Sequence, residues 1–167
     1  MRSELLSVVG RVRQVEMGDK PRLPYCTATI HEIQRMANFI PFLGSHRCTE
    51  DAFISGKFIP KDTLTMPQIW SAVHEDEAFQ DAEEFSPERF IEEDGKGMNK
   101  KLLERLIVFG MGKRQCAGEA LARMELFLIL AALLRKYKFE AVQPVDTVPS
   151  FSSILVPKPY KCRVVPL

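Results

Sequence analysis

The clearest pattern of apolar positions in the first third of the chain is helical. Its members recur at spacings of four, three, four and three residues, and they are Cys26, Ile30, Ile33, Ala37 and Ile40. One face of an α-helix repeats in this way. We expect this helix to open at Leu23 and Pro24 and to stop at Pro41, because proline cannot continue a helix.

The longest helix is predicted over residues 118–137. One apolar stripe runs along it, and it consists of Leu121, Met124, Leu128, Ala131 and Leu134. Further apolar residues fill the other faces, namely Leu126, Phe127, Ile129 and Leu133. A helix that is apolar on most sides is expected to be buried. A core explains these residues without any cofactor.

Shorter patterns surround these two helices. Brief helices are predicted over residues 3–9 and 68–73, and strands over 53–56, 57–59 and 63–66. Turn residues separate the strands, which resemble a β-meander at the edge of a sheet. Residues 151–154 and 160–165 are predicted to pair as a final hairpin. The fold class that follows is mainly α with small β-sheets.

Composition and charge narrow the function classes. The 167-residue chain is 46% hydrophobic and 27% charged, with a formal net charge of +1. These values are ordinary for a globular domain and suggest no nucleic-acid binding. The cysteines have no CxxC spacing, so they indicate neither a zinc site nor a disulfide framework, and a reducing compartment is the simpler interpretation. They are Cys26, Cys48, Cys116 and Cys162.

A glycine-rich loop with one cysteine precedes the longest helix, and we call it the cysteine loop. It occupies residues 109–118, with the sequence Phe-Gly-Met-Gly-Lys-Arg-Gln-Cys-Ala-Gly. Because the first N–H groups of a helix are unpaired and carry partial positive charge, Cys116 is expected to favour its thiolate. Gly110 and Gly112 let the backbone approach a flat group, and Arg114 suits a bidentate grip on a carboxylate. Phe109 can lie against an apolar face.

One cofactor requires all of these features together, and it is a haem with a thiolate ligand, carboxylate propionates and a large apolar ring. The alternative is that Cys116 is a free cysteine acting as a small hydrophobe. The five positions that carry the pattern are Phe109, Gly112, Arg114, Cys116 and Gly118.

This spacing resembles the haem-binding signature of the cytochrome P-450 monooxygenases. The flanking residues 118–127 resemble the microsomal, family-2-like animal branch. The resemblance implies that Cys116 is the axial ligand of a haem b iron. It also implies insertion of one oxygen atom of O2 into a lipophilic substrate, with electrons from NADPH through NADPH–cytochrome P-450 reductase. Cytochrome b5 is a further candidate donor, and the family's microsomal members lie on the cytosolic face of the endoplasmic reticulum membrane.

The same resemblance implies a structural ion network. Glu32 and Arg35 match the family's Glu-x-x-Arg motif, and Arg89 lies in a segment similar to the one that completes the network. Two guanidiniums around one carboxylate leave surplus charge, so backbone carbonyls near the cysteine loop are expected to accept the remaining donors. The implied role is to support the loop, not to take part in catalysis.

Further residues are implied by their place in the family pattern. His46 falls where microsomal members have a histidine that bonds a haem propionate, although a lone histidine is more often a surface residue. The candidates for substrate contact are Phe42, Leu43, Phe151 and Ile154. Their apolar character fits lipophilic compounds in general.

Charge is distributed unevenly along the chain. Residues 75–94 hold ten acids against one base, and residues 96–138 hold ten bases against three acids. The simpler interpretation of each is a solvated face. The second could instead be a docking surface for an acidic redox partner, since complementary charge steers encounter. Its candidates are Lys113, Arg123, Arg135 and Lys136.

The resemblance covers nearly the whole chain but roughly the C-terminal third of the family's catalytic domain. We therefore expect residues 1–167 to be a C-terminal fragment of that domain, without the family's oxygen-binding helix and N-terminal membrane anchor. The longest apolar run, residues 126–134, is too short to cross a bilayer. The chain alone is expected to be inactive. Alternatives are a non-catalytic truncated isoform, a partial gene product or, less favoured, a haem sensor.

Overall fold

The computed structural model describes residues 1–95 and 97–167. It contains five α-helices in the described residues: α1 (Arg2–Val8), α2 (Pro24–Ala37), α3 (Ile69–His74), α4 (Lys100–Arg105) and α5 (Glu119–Lys136). Short 3₁₀ helices lie at Met17–Arg22, Pro87–Phe90 and Gly112–Arg114. The strands are β1 (His46–Arg47), β2 (Ala52–Ile54), β3 (Lys57–Ile59), β4 (Leu64–Thr65), β5 (Tyr137–Ala141), β6 (Ser150–Phe151), β7 (Leu155–Val156) and β8 (Cys162–Pro166). The predicted class, mainly α with small sheets, is confirmed.

Helix α2 ends earlier than predicted. Asn38 adopts a left-handed conformation, with φ 30° and ψ 56°, and its N–H donates to the carbonyl oxygen of Gln34 at 3.2 Å. A residue in this conformation terminates a helix, so Pro41 is not what stops α2.

The buried face of α2 also differs from the predicted apolar stripe. Ile33 is 38% exposed, and Ala37 and Ile40 are exposed as well. Glu32 and Arg35 are instead completely buried. A charged pair can be buried only when its members satisfy one another and their remaining polar atoms, which apolar periodicity does not reveal.

Two apolar clusters hold the chain together. The first lies where α1, α2 and α5 meet and contains Leu5, Val9, Leu23, Cys26, Ile30, Phe127 and Ala131. The second lies on the other side of α2, against α3, α4 and the 3₁₀ helix Pro87–Phe90. It contains Ala28, Ile69, Val73, Phe79, Phe90, Leu102 and Leu106. Helix α2 therefore lies between both clusters.

The strands form four two-stranded antiparallel sheets among the described residues. Strands β2 and β3 pair as a hairpin whose turn residues, Ser55 and Gly56, have φ values of 48° and 77°. Positive φ at both positions matches the right-handed twist of a tight hairpin. The predicted meander at a sheet edge is wrong, because β4 pairs with β1 and not with this hairpin.

The predicted final hairpin is also wrong. Strand β8 pairs with β5, and β6 pairs with β7. Strand β5 follows α5 directly and offers a five-residue edge, with Tyr137 opposite Pro166 and Ala141 opposite Cys162. This longer ladder brings the C-terminus back to the end of α5.

Helix α5 is less buried than its composition predicts. Phe127 and Ala131 are buried, whereas Leu121 is 54% and Ile129 58% exposed. One face of the helix packs on α1 and α2, and the remaining apolar faces lie at the surface. In the described part of the chain, no helix combines the length and apolar character needed to cross a membrane.

Candidate functional site

The cysteine loop is closed by a backbone hydrogen bond between its two ends. The N–H of Cys116 donates to the carbonyl oxygen of Phe109 at 2.8 Å. Helix α5 begins at Glu119 with Gly118 as its N-cap, so Cys116 lies just before the helix. The backbone therefore places Cys116 at the end of a closed loop, next to the first turn of α5.

Two glycines in this loop have backbone conformations that other residues rarely adopt. Gly110 has φ 76°, and a Cβ atom there would lie 3.2 Å from Leu43 Cδ1 and 3.6 Å from Gln115 Cα. Gly112 has φ 71°, and a Cβ atom there would meet nothing within 4 Å. Gly110 thus serves close packing inside the protein, whereas Gly112 leaves its outer side open.

The chemistry of the exposed groups around Gly112 fits a haem. The side chains of Cys116 and Arg114 are exposed, and Phe109 in the same loop is half-buried. A Cβ atom on Gly118 would lie 3.8 Å from Cys116 Sγ, an ordinary contact. An accessible thiol, an accessible guanidinium and a side-chain-free backbone are the groups that a thiolate-bound haem with carboxylate substituents requires.

Glu32, Arg35 and Arg89 form one ion network, as the sequence suggests. Arg35 binds both carboxylate oxygens of Glu32, with Nε 2.8 Å from Oε2 and Nη2 2.9 Å from Oε1. Arg89 Nε lies 3.2 Å from Glu32 Oε1. The N–H of Ser86 also donates to Oε1, at 3.0 Å. The network joins α2 to the 3₁₀ helix Pro87–Phe90.

The remaining guanidinium donors reach backbone carbonyls of residues 73–84. Arg35 donates to the carbonyl oxygens of Val73, Ala82 and Glu84, at 3.1, 2.7 and 3.4 Å. Arg89 donates to those of Gln80, Asp81 and Glu84, at 2.5, 3.1 and 3.1 Å. Backbone carbonyls therefore accept the surplus donors, as expected, and their closeness to the cysteine loop stays a prediction. The segment 73–84 bends around the two arginines and supplies the partial negative charge that one carboxylate lacks.

The charged state of Glu32 is stabilised despite its burial. Burial alone raises the pKa of a carboxyl group. The hydrogen bonds from Arg35 and Ser86 and the charges of Arg35 and Arg89 outweigh this effect and lower the pKa of Glu32. Glu32 is therefore an anion at neutral pH, and the network is ionic.

A second polar cluster links α2 to the cysteine loop, and it was not predicted from the sequence. We call it the Arg123 cluster, and its members are His31, Gln34, Phe109, Glu119 and Arg123. Arg123 Nε lies 2.7 Å from Glu119 Oε1, and Nη1 lies 3.1 Å from His31 Nδ1 and 3.4 Å from Gln34 Oε1. The Arg123 guanidinium carbon lies 5.0 Å from the centroid of the Phe109 ring. The spacing of His31 and Gln34, which puts both on one face of α2, is the only local signal.

The comparison with known proteins assigns the family. A sequence model described as Cytochrome P450 matches residues 1–164. This chain belongs to the cytochrome P450 family. The predicted resemblance is confirmed, and the matched residues include the cysteine loop described above.

Individual relatives match over almost the whole chain. Cytochrome P450 1A2 from Oryctolagus cuniculus is 43% identical over 153 residues, which cover 90% of this chain and 30% of the relative. Cytochrome P450 1A2 from Homo sapiens is 41% identical over 168 residues, which cover 99% of this chain and 32% of the relative. Cytochrome P450 1A1 from Sparus aurata is 39% identical over 163 residues, which cover 96% of this chain and 31% of the relative. The P450 chain thus spans about a third of the length of these relatives.

The remaining candidates of the P450 chain are His46 for a propionate and four apolar residues for substrate contact. His46 is exposed on β1, where its carbonyl oxygen accepts a hydrogen bond from Thr65 Oγ1 at 3.3 Å. Phe42 and Phe151 are in edge-to-face contact, with ring centroids 6.4 Å apart. Leu43 packs beside Gly110 and against the second apolar cluster, and Ile154 is half-buried. The structure therefore brings together the two phenylalanines, which are far apart in sequence.

The four cations considered for partner docking on the P450 chain do not form one patch. Arg123 is turned into its cluster, with 25% of its side chain exposed. Arg135 donates a hydrogen bond to the carbonyl oxygen of Arg13. Lys136 lies at the far end of α5 from Arg123, about 20 Å away at the rise of an α-helix. Lys113, exposed in the cysteine loop, is the candidate that lies nearest to Cys116 in sequence.

Proposed function

We propose that this chain carries the thiolate side of a haem site, in which the sulfur of Cys116 would bind the iron of haem b. The observation that carries the proposal is the exposed Cys116 side chain at the end of a closed loop, in a chain that belongs to the P450 family. The backbone hydrogen bond to Phe109 fixes the direction from which Cys116 leaves the loop. The sulfur can then be presented without a large ordering cost at the moment of binding.

Neighbouring residues would orient and hold the cofactor. Arg114 is placed to bind a propionate carboxylate, and His46 is the second propionate candidate. Phe109 offers an apolar ring on the thiolate side, and Gly112 offers a backbone that a flat group can approach. When bound, the haem would supply the redox-active iron at which dioxygen is activated.

The Glu32–Arg35–Arg89 network has a structural role in this proposal. It holds α2 against residues 73–84 and against the 3₁₀ helix Pro87–Phe90. The same part of the chain packs on α4, which leads directly into the cysteine loop. The network thus supports the part of the chain on which α4 packs, and through α4 it supports the cysteine loop.

For the whole protein we propose a monooxygenase that inserts one oxygen atom of O2 into a lipophilic substrate. The four candidates for substrate contact are apolar, and two of them, Phe42 and Phe151, lie together at the surface. Apolar side chains that face solvent are suited to a ligand without charge. The cytosolic face of the endoplasmic reticulum membrane is the proposed location.

We further propose NADPH–cytochrome P-450 reductase as the electron donor, with cytochrome b5 as a second candidate. The support is an exposed lysine, Lys113, next to the proposed haem. Complementary charge raises the rate of encounter with an acidic partner. Replacing Lys113 with Glu in the whole protein should slow reduction and weaken its dependence on salt. An unchanged rate and salt dependence would contradict docking at Lys113.

The 167-residue chain by itself is proposed to be inactive. Leu121 and Ile129 on α5 and Phe151 on β6 are more than half exposed, so these apolar side chains have no cover within the described residues. Water at the reacting centre competes with catalysis. The alternative function is a non-catalytic product of the same family, and the exposed surface is compatible with it too.

A haem titration followed by a turnover assay tests these statements in order. The purified chain is titrated with haem, and Cys162→Ser serves as the control because Cys162 is also exposed. We expect saturable binding in the wild type and in Cys162→Ser, and weaker binding in Cys116→Ser. With reductase and NADPH added, we expect no substrate oxidation by the chain alone. Equal binding by all three would refute the ligand assignment, and oxidation would refute the proposed inactivity.

A further inference from the structure

Arg123 is held by groups on two helices. On α5 it pairs with Glu119 at 2.7 Å, one turn earlier. Towards α2 its Nη1 donates to His31 Nδ1 at 3.1 Å and to Gln34 Oε1 at 3.4 Å. The side chain thus bridges α2 and α5 close to the start of α5.

The hydrogen-bond direction between Arg123 and His31 follows from chemistry. A guanidinium can only donate, so His31 Nδ1 accepts and the imidazole is neutral with its proton on Nε2. His31 is 8% exposed, and its ring lies 5.7 Å from that of Phe90. Burial, followed by the charges of Arg123 and Lys20, lowers the pKa of His31 to about 4. The accepting state is therefore the populated state at neutral pH.

The Arg123 guanidinium also contacts the cysteine loop. Its central carbon lies 5.0 Å from the centroid of the Phe109 ring, a cation–π distance. The carbonyl oxygen of Phe109 accepts the N–H of Cys116 at 2.8 Å. A continuous series of contacts therefore links His31 through Arg123 and Phe109 to the backbone of Cys116. His31 is the sequence neighbour of the buried Glu32.

We propose that Arg123 is a positioning residue that holds the sulfur of Cys116 in place, by clamping Phe109 from a base formed by His31 and Gln34. The relevance of this clamp to a cofactor rests on the proposed function of Cys116. An arginine suits the role because its planar fork can meet several acceptors while it stacks on a ring, which a lysine cannot do.

The first experiment measures the loop in the chain without haem. Amide hydrogen exchange of Cys116 reports the bond to Phe109, and the amides of the β5–β8 ladder report the global fold. Arg123→Gln should speed exchange at Cys116 roughly tenfold, the scale of one lost charge-assisted hydrogen bond. The control is Glu125→Gln, which removes an exposed charge from the same helix and should leave the Cys116 rate unchanged.

A pair of His31 variants separates hydrogen bonding from packing. His31→Gln keeps an acceptor for Arg123 and should preserve slow exchange at Cys116. His31→Leu fills space without an acceptor and should reproduce the effect of Arg123→Gln. If the two His31 variants show the same exchange rate at Cys116, or if Arg123→Gln shows the wild-type rate there, the proposed role of Arg123 is refuted.

The second experiment adds haem, reductant and carbon monoxide. Arg123→Gln and His31→Leu should lower the fraction of haem that shows the long-wavelength Soret band of thiolate ligation, whereas His31→Gln should retain it. An unaltered fraction in Arg123→Gln would contradict positioning of the sulfur. If the wild-type chain takes up no haem, the proposed function fails for this chain, and the exchange measurements still decide the clamp separately.

Discussion

Arg35 binds Glu32 through both carboxylate oxygens, at 2.8 and 2.9 Å, and neither side chain is exposed to solvent. A buried pair of this kind adds little stability compared with apolar residues, but removal of one charge leaves the other uncompensated. In this chain, the loss of Glu32 would leave two guanidiniums, Arg35 and Arg89, with only carbonyl oxygens for partners. The network is therefore a point at which one substitution has a large effect.

We predict that Glu32→Gln lowers the free energy of unfolding by about 3–5 kcal/mol, the usual effect of breaking a buried ion pair. Urea denaturation at neutral pH measures it. Glu93→Gln is the matched control, because Glu93 is exposed, and it should stay within about 0.5 kcal/mol of the wild type. A loss no larger than that of the control would show that the network does not hold the fold.

The neutral state of His31 predicts a pH dependence of stability. Because the pKa of His31 is lowered to about 4 from 6.5, the unfolded chain binds a proton in this range and the folded chain does not. Stability therefore rises with pH from 4 to 6.5 and is lost as the pH falls through that window. The contribution amounts to about 3 kcal/mol over the window, at 1.36 kcal/mol per pKa unit.

The measurement is the unfolding free energy from urea titrations at pH 7, 6 and 5, for the wild type and for His31→Gln. The groups that face His31 are the cations Arg123 and Lys20, the amide of Gln34 and the ring of Phe90. Since these groups and Glu32 remain in both proteins, the difference between the two curves isolates His31. We expect a shallower slope in the variant, and parallel curves would contradict a neutral buried His31.

We predict that an alanine at Gly110 lowers stability more than one at Gly112, and that an alanine at Gly112 lowers haem affinity more than one at Gly110. A side chain at positive φ costs roughly 1 kcal/mol or more at either position. Gly110→Ala should lose additional stability, because its Cβ atom would lie 3.2 Å from Leu43 Cδ1. Gly112→Ala has open space around its Cβ atom, and its larger effect should be on haem affinity. Urea denaturation and haem titration of both variants test this order, and a reversed order would show that Gly112 does not face the cofactor.

Local sequence was sufficient where a feature depends on neighbouring residues. The cysteine loop was predicted from residues 109–118, because its turn needs glycine at fixed places and its chemistry needs one cysteine before a helix. The pairing of Glu32 with Arg35 was predictable because residues three apart share a helix face. The identity of the fold came from the same motifs, through their resemblance to a family.

Sequence was insufficient where a feature depends on distant parts of the chain. Ile33 belongs to an apolar stripe but is exposed, because the buried charges of Glu32 and Arg35 determine which face of α2 points inward. Strand β8 pairs with β5, which is distant in the sequence, and strand propensity does not reveal such a partner. Arg123 looked like a surface cation, and only the crossing of α2 and α5 shows its inward contacts.

The most direct test of the central claim is the absorption spectrum of the reduced, carbon monoxide-treated chain after haem addition, compared for the wild type, Cys116→Ser and Cys162→Ser. If the Cys116 sulfur binds the iron, the wild type and Cys162→Ser will show the long-wavelength Soret band of thiolate ligation, and Cys116→Ser will lack it. The same long-wavelength band in Cys116→Ser would contradict the account.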